Sequence, residues 1–282
     1  MTSELASMLY ALASGLTWGT GDFSGGLASR HTPVLIVVTL SQSIGILCLL
    51  GVIALSSEPL PPWRDLLFGS GAGLAGVIGL TAFYQGLARH PMGLVAPVAA
   101  AISAMLPVLV SFALEGLPAA PQMLGLALAI VAIWIISQSG GMTAIQRRQF
   151  QFKLPVIAGL GFASFFILID QVSQGTVFWP LVAARCTTLA LLASIILGKR
   201  QWQLPPRRRF PVIIMAGVFD TAGNALFALA ANVGRLDMAA VLASLYPATT
   251  VLLAWFILKE RLNGKQWIGV MAALVAVLLM AL

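Results

Sequence analysis

Phe210 to Asn232 reads FPVIIMAGVFDTAGNALFALAAN, and this stretch decides what kind of molecule the chain makes. It is apolar and long enough to cross a bilayer, yet it carries Asp220 about ten residues from its start. At ~1.5 Å of rise per residue the acid lies ~15 Å deep, near the middle of a ~30 Å hydrocarbon core. An ionised Asp at that depth costs roughly 3 kcal/mol on insertion scales. A cavity, a partner or a bound proton must offset the cost. Asn224 follows one turn later on the same helix face. Gly217 and Gly223 thin the flanks, so a neighbour or a ligand can come close. The acid is either tied to a structural partner or placed on a solute pathway, and intramembrane acids point to the second.

The rest of the chain agrees with this stretch. Its 282 residues are 59% hydrophobic and 9% charged, with a mean hydropathy of +0.96. That composition belongs to an integral membrane protein with little mass outside the bilayer. The net charge of +7 does not indicate nucleic acid, because the basic residues sit in short connections between apolar runs. Cys48 and Cys186 both fall inside apolar runs and read as small hydrophobes. The N-terminus has no basic n-region and no clear cleavage site, so the first apolar run is expected to be kept as a span.

Apolar runs predict ten spans, at 5–28, 34–55, 66–88, 92–114, 119–139, 154–172, 177–197, 210–232, 236–258 and 265–282. Pro- and charge-bearing breaks separate them, among them Arg30–Pro33, Glu58–Asp65, Arg89–Pro91 and Leu117–Pro121. Only helices or closed barrels satisfy the backbone in lipid, and alternating ten-residue strands are absent from the pattern, so the expected fold is an all-α polytopic membrane protein. Of the 16 Lys and Arg, 13 fall in the odd connections, 2 (Arg64 and Arg235) in the even ones, and Arg185 inside a span. The positive-inside rule then puts the odd connections in the cytoplasm and both termini on the outer, periplasmic side.

The halves resemble each other. A shift of 144 carries Gly79, Phe83, Ala99, Leu109 and Phe112 onto Gly223, Phe227, Ala243, Leu253 and Phe256, and Gln122/Gly125 onto Gln266/Gly269. Upstream, a shift of 148 puts Trp18 on Phe166 and Asp22 on Asp170. The expected organisation is one five-helix repeat at 1–139, a cytoplasmic linker at 140–153 and a second five-helix repeat at 154–282. An odd number of spans per repeat inverts the second copy in the membrane.

Gly15-Leu16-Thr17-Trp18-Gly19 in the first span, Ser244-Leu245-Tyr246-Pro247, and the Lys259-Glu260-Arg261-Leu262 ending followed by Gln266-x-x-Gly269 resemble EamA-type permeases of the drug/metabolite transporter superfamily. The resemblance covers essentially the whole chain. The first half departs from it, with Glu115-Gly116-Leu117 lacking the Arg and Ser103 standing where the second half has Pro247. The resemblance implies a ten-helix inner-membrane permease for small organic metabolites, often an exporter of amino acids. It also implies that spans 1, 3, 4, 6, 8 and 9 line a central cavity. Those spans carry Trp18, Phe23, Tyr84, Phe166, Phe219, Phe227, Tyr246 and Trp255.

The expected substrate-binding set is Trp18, Tyr84, Gln85, Asn224, Phe227, Tyr246 and Arg185: an apolar pocket with a few polar groups. Arg185 lies deep in span 7 and keeps its proton, so it needs an anion. Asp220, Asp170 and a substrate carboxylate are the options, with snorkelling as the alternative. The expected proton-coupling or gating set is Asp220, Asp22 and Asp170. Asp22 and Asp170 also read as helix-end acids in headgroup water, at matching depths on opposite sides. Gly71-x-Gly73-x-x-Gly76 matches a dinucleotide fingerprint but lies within a membrane helix, where it reads as close helix packing. His31 and His90 sit at helix ends and give no metal site. No cofactor is expected; the expected partners are the lipid bilayer, a small-molecule substrate and protons, with the chain a monomer or homodimer and nucleic acid excluded. Export of amino acids by alternating access is the first reading, and export of cationic compounds the alternative. An integral-membrane enzyme or an assembly protein is the competing class. It is disfavoured by the lack of paired His, a Cys/His set or a long loop.

Overall fold

The computed structural model describes residues 3–56, 58–115, 120–138, 152–173, 175–200, 203–234, 236–260 and 264–280, and every regular element among them is helical. In chain order these are α1 (Ser3–Ser29), α2 (Val34–Ser56), α3 (Trp63–Arg89), α4 (Met92–Glu115), α5 (Ala120–Gln138), α6 (Lys153–Asp170), α7 (Phe178–Lys199), α8 (Phe210–Val233), α9 (Leu236–Ala243), α10 (Tyr246–Leu258) and α11 (Gly264–Met280). A 3₁₀ turn, Arg207–Arg209, leads into α8. Most of the expected linker at 140–153, Arg235, Arg261 and the side chains of Gln122 and Gln266 lie outside the described residues.

By length and composition six stretches qualify as membrane spans: Val34–Ser56, Trp63–Arg89, Lys153–Asp170, Phe178–Lys199, Arg207–Val233 and Ala239–Leu258. Met92–Pro107, Met123–Ala132 and Trp267–Leu279 are shorter apolar helices. The ninth expected span is not one continuous helix. It breaks at Ser244–Leu245, giving α9 and α10. Pro247 is the physical reason, since it lacks an N–H and its ring would collide with the carbonyl of Ala243 in a continuous helix. Leu245 relaxes to φ −77°, ψ 0° and Tyr246 starts the new helix. The carbonyls of Leu242 and Ala243 then face α1 at Gly15, which has no Cβ to obstruct them.

Small residues set the closest helix contacts, and a hydroxyl on one helix bonds a carbonyl on the next. Along α1 and α8, Ser7 Oγ donates to Ala230 O at 2.8 Å and Ser14 Oγ to Gly223 O at 2.8 Å. Between α7 and α3, Thr188 Oγ1 donates to Gly73 O at 3.1 Å. Between α10 and α1, Thr250 Oγ1 donates to Gly19 O at 3.1 Å. Gly69 and Gly73 of α3 seat against the backbones of Pro180 and Ala184. Within the fingerprint-like run, Gly73 is therefore a packing residue.

Helix directions follow from these pairs. Along α1 the partners on α8 descend from Ala230 to Gly223, so these helices run antiparallel. Gly79 of α3 meets Gly161 and Ala158 of α6, whereas Asp65 at the start of α3 meets Ser173 just past the end of α6, so α3 and α6 are also antiparallel. Gly25 and Gly26 of α1 meet Tyr84 and Leu87 of α3, as parallel helices do when Trp18, a turn or two earlier, shares a cavity wall with Val77 and Leu80. The first helix of one half thus runs opposite to the first helix of the other. The pairings α1–α8 and α3–α6 exchange when the halves are exchanged, and α2–α7 and α5–α11 map onto themselves.

Candidate functional site

α8 brings Asp220 and Asn224 to the centre of the bundle because Gly217 and Gly223 let it close on its neighbours. Gly217 rests on the backbone of Ser41 in α2, and Gly223 on the indole of Trp18. Asp220 is 7% exposed and so is Arg185. Arg185 Nη1 stands 2.8 Å from Asp220 Oδ2. The same guanidinium donates to Gln42 Oε1 and, at 3.3 Å, to Thr221 Oγ1. Gln42 Nε2 in turn donates to Asp220 Oδ2 at 3.3 Å. α2, α7 and α8 are thereby joined in one buried network. Asn224 Nδ2 donates to the carbonyl of Asp220 at 2.8 Å, so part of its capacity closes its own helix turn.

Asp22 belongs to the same central region. It is 5% exposed and lines the same cavity as Asp220 and Arg185. α1 continues past it to Ser29, so the acid lies about two turns inside its helix. α6, by contrast, ends at Asp170. Asp22 thus stands inside its helix and Asp170 at the end of its own. Asp170 lines a separate cavity with Thr176, Pro180, Ala228, Ala231 and Asn232.

The central cavity is bounded by Trp18, Asp22, Gln42, Arg185, Asp220, Asn224 and Tyr246, with Phe162, Phe165 and Phe166 on α6 and Gly73, Gly76, Val77 and Leu80 on α3. Its free volume for water centres is about 60 Å³. At ~10–15 Å³ of such space per water, it has room for a few waters. Phe227 is fully buried and sits behind Phe166, their rings 4.5 Å apart. Trp18 stacks on both, at 5.5 Å and 5.6 Å. On α6 and α8 the residues of the Asp170 cavity lie about one to two turns beyond those of the central cavity, and on α7 Pro180 directly precedes Leu181. The Trp18–Phe166–Phe227 layer lies between the two.

Tyr84 is fully buried against Gly25 and is not on the cavity wall, and Gln85 beside it is half-buried, away from the wall. Trp255 is 47% exposed and packs on Phe256 at the periphery. Gln42, Thr221, Thr188, Phe162 and Phe165 were not expected at the site. Gln42 had a readable signal, being a long amide inside the otherwise apolar α2 with Gly45 one turn later.

At the opposite end of the bundle, Arg30 Nη2 meets Glu260 Oε1 at 2.6 Å, and Glu260 Oε2 accepts the Met92 N–H at 3.0 Å. Lys259 adopts φ 55°, ψ 28°, and Glu260 N–H closes on Ala254 O at 3.3 Å. This reversal turns the carboxylate of Glu260 back toward α1 and α4.

Residues 5–138 and 153–282 match the sequence model of the EamA-like transporter family, once in each half. The chain belongs to the EamA-like transporter family. Family membership places it among multi-pass membrane transporters of the drug/metabolite type, built from two copies of one helical repeat. No curated protein sequence matches it. Similarity in fold extends to a crystal structure of a protein at 18% identity and TM-score 0.69, covering 98% of this chain and 96% of that one. In this EamA-like chain the acids, the guanidinium and the aromatic layer all meet on helices from both halves.

Proposed function

We propose that the protein is a secondary transporter with ten spans in two inverted five-helix repeats. It moves small organic metabolites across the inner membrane by alternating access, as an exporter of amino acids or related compounds coupled to protons. The observation that carries this reading is the central cavity, where Arg185, Asp220 and Asp22 are buried among aromatic rings from both halves. The opposed directions of α1 and α6 support inversion. An aromatic layer on one side and the Arg30–Glu260 pair on the other supply groups that part in turn. Trp18, Asn224, Phe227 and Tyr246 are proposed to shape the bound solute's surroundings. Asp220 and Asp22 couple the cycle to protons, and Asp170 guards the outer mouth. Both termini face the periplasm. Export of cationic compounds is the second reading, favoured by a cavity with two carboxylates and one guanidinium.

The test is flux in proteoliposomes. An imposed proton gradient should drive labelled solute uphill through the parental protein. Flux absent for every amino acid and organic cation tried, under either gradient direction, overturns the reading.

A further inference from the structure

The repeat gives the central cavity two unlike walls. A shift of 144 carries Gly76 of α3 onto Asp220 of α8, and Leu80 onto Asn224. All four line the same cavity. One position of the repeat is thus used twice around one space, once with polar groups and once with none. On the α8 wall, Asp220, Arg185 and Gln42 form a buried network, with Asn224 one turn on. Asp22 belongs to this side, because Gly21 next to it rests on the backbone N–H of Asp220. It is 5% exposed and lines the cavity, and among the described residues no hydrogen bond or ion pair reaches its side chain. A buried polar group without a partner is an unmet demand. On the other wall, Gly76 and Leu80 share the cavity with Phe162 and Phe165 of α6.

Gly76 also differs from other glycines of its helix. A Cβ on Gly69 or Gly73 would fall on the carbonyl oxygen of Pro180 or Ala184, and one on Gly79 would lie 3.1 Å from the carbonyl oxygen of Ala158. Packing against α7 and α6 requires those three. Beyond its own turn of helix, a Cβ on Gly76 would meet only Phe165 Cδ2, at 3.5 Å, an ordinary contact. Glycine is less favourable than alanine inside a helix. Packing does not call for it here, whereas room in the cavity does. We propose that the cavity holds an amphipathic solute in one orientation, its polar head on the Asp220 wall and its apolar tail against α3 and Phe165, and that Gly76 sets how bulky the tail can be. The inference rests on the transporter reading and names the class of solute that the cavity takes. The Asp220 wall offers both donors and acceptors to a head group. A solute bound the other way round would press its head against Gly76, Leu80 and aromatic rings, which offer no side-chain hydrogen bond, and would leave it desolvated and unpaired. A methyl added to the tail wall takes the space of one tail methylene, a difference that apolar pockets read as ~10-fold or more in selectivity.

The experiment measures binding to the purified full chain in detergent by calorimetry. The probes are two series with matched tails and different heads: alanine, leucine and phenylalanine, and the corresponding amines ethylamine, 3-methylbutylamine and phenethylamine. In the series whose head binds, the parental protein should prefer the largest tail to the smallest by at least tenfold. Gly76→Ala should reduce that preference about tenfold, by weakening the largest tail and sparing the smallest, with a melting temperature equal to the parental one or higher. Asn224→Ala should weaken every tail by the same factor, about fivefold, as loss of one hydrogen bond to the head does. No binding in either series, or no tail preference in the parental protein, overturns the proposal without any variant. A Gly76→Ala protein that binds all tails as before, or all more weakly by one factor, overturns it too. So does a fall in its melting temperature, which would make Gly76 a packing residue. Tail-selective binding without flux in proteoliposomes overturns the transporter reading and leaves the orientation standing. Flux of both tails unchanged by Gly76→Ala overturns the role of Gly76 and leaves transport standing.

Discussion

Arg185 and Asp220 are each compensated by the other, so changing one alone is costly. Asp220→Asn keeps the size of the side chain but strands a guanidinium inside the bundle. Breaking a buried pair in this way costs about 3–5 kcal/mol, whereas replacing both partners is often close to neutral. Asp220→Asn should therefore lower the melting temperature in detergent, and Arg185→Gln added to it should restore most of the loss. A double variant no more stable than the single one would show that the pair is not coupled. Gly223 is a second sensitive residue, because a Cβ there would fall onto the Trp18 indole. Gly223→Ala should cost about 1–3 kcal/mol through overpacking and displace the aromatic layer, read as a shift in tryptophan fluorescence. Much of this site was visible in the sequence because polar groups are rare in an apolar chain: Asp220, Arg185 and Asn224 each stand out against their neighbours. Phe162 and Phe165 did not, since an aromatic ring in a membrane helix faces lipid, packing and cavity with equal ease.

At the scale of the helices, each half starts a helix of the other. Glu58 accepts the N–H groups of Val177 and Phe178 at 3.1 Å and of Trp179 at 3.4 Å, capping α7 from the α2–α3 connection. Glu260 caps α4 from the end of α10. A carboxylate at a helix start meets orphan amides and the positive end of the dipole. Glu58→Ala should cost about 1–2 kcal/mol in an unfolding titration, by loss of a cap. Helix contacts give a sharper contrast. A Cβ on Gly73 would meet the backbone of Ala184, which cannot yield without separating α3 from α7, whereas Gly51 has open space around it. Gly73→Ala should destabilise, and Gly51→Ala should be neutral or gain up to ~1 kcal/mol. Equal effects would refute the close α3–α7 approach. The sequence pattern located nearly every helix, because hydrophobic runs and Pro or charged breaks report length directly. It ran the ninth span through Pro247 because a single Pro in a long apolar run reads equally as a kink or as a break.

For the whole molecule, the basic residues set orientation and the small residues set assembly. With 13 of the 16 Lys and Arg in odd connections, a reporter active only in the cytoplasm, fused after Leu282, should be silent; strong activity would reverse the orientation. The two-fold exchange of α1–α8 and α6–α3 was foreshadowed by the 144-residue repeat, whereas the pairing of particular helices required the folded contacts. The α1–α8 pairing also sets a timetable for biosynthesis. Ser14 waits for the carbonyl of Gly223, 209 residues downstream. At ~5–20 residues per second of translation, α1 is in the membrane roughly 10–40 s before its principal partner exists. Throughout that interval its serines and Asp22 face lipid, earlier helices or the insertion machinery. The α8-facing side of α1 therefore stays without its partner far longer than its α3-facing side, and a nascent chain stalled before α8 should be more open to membrane proteolysis than the finished one.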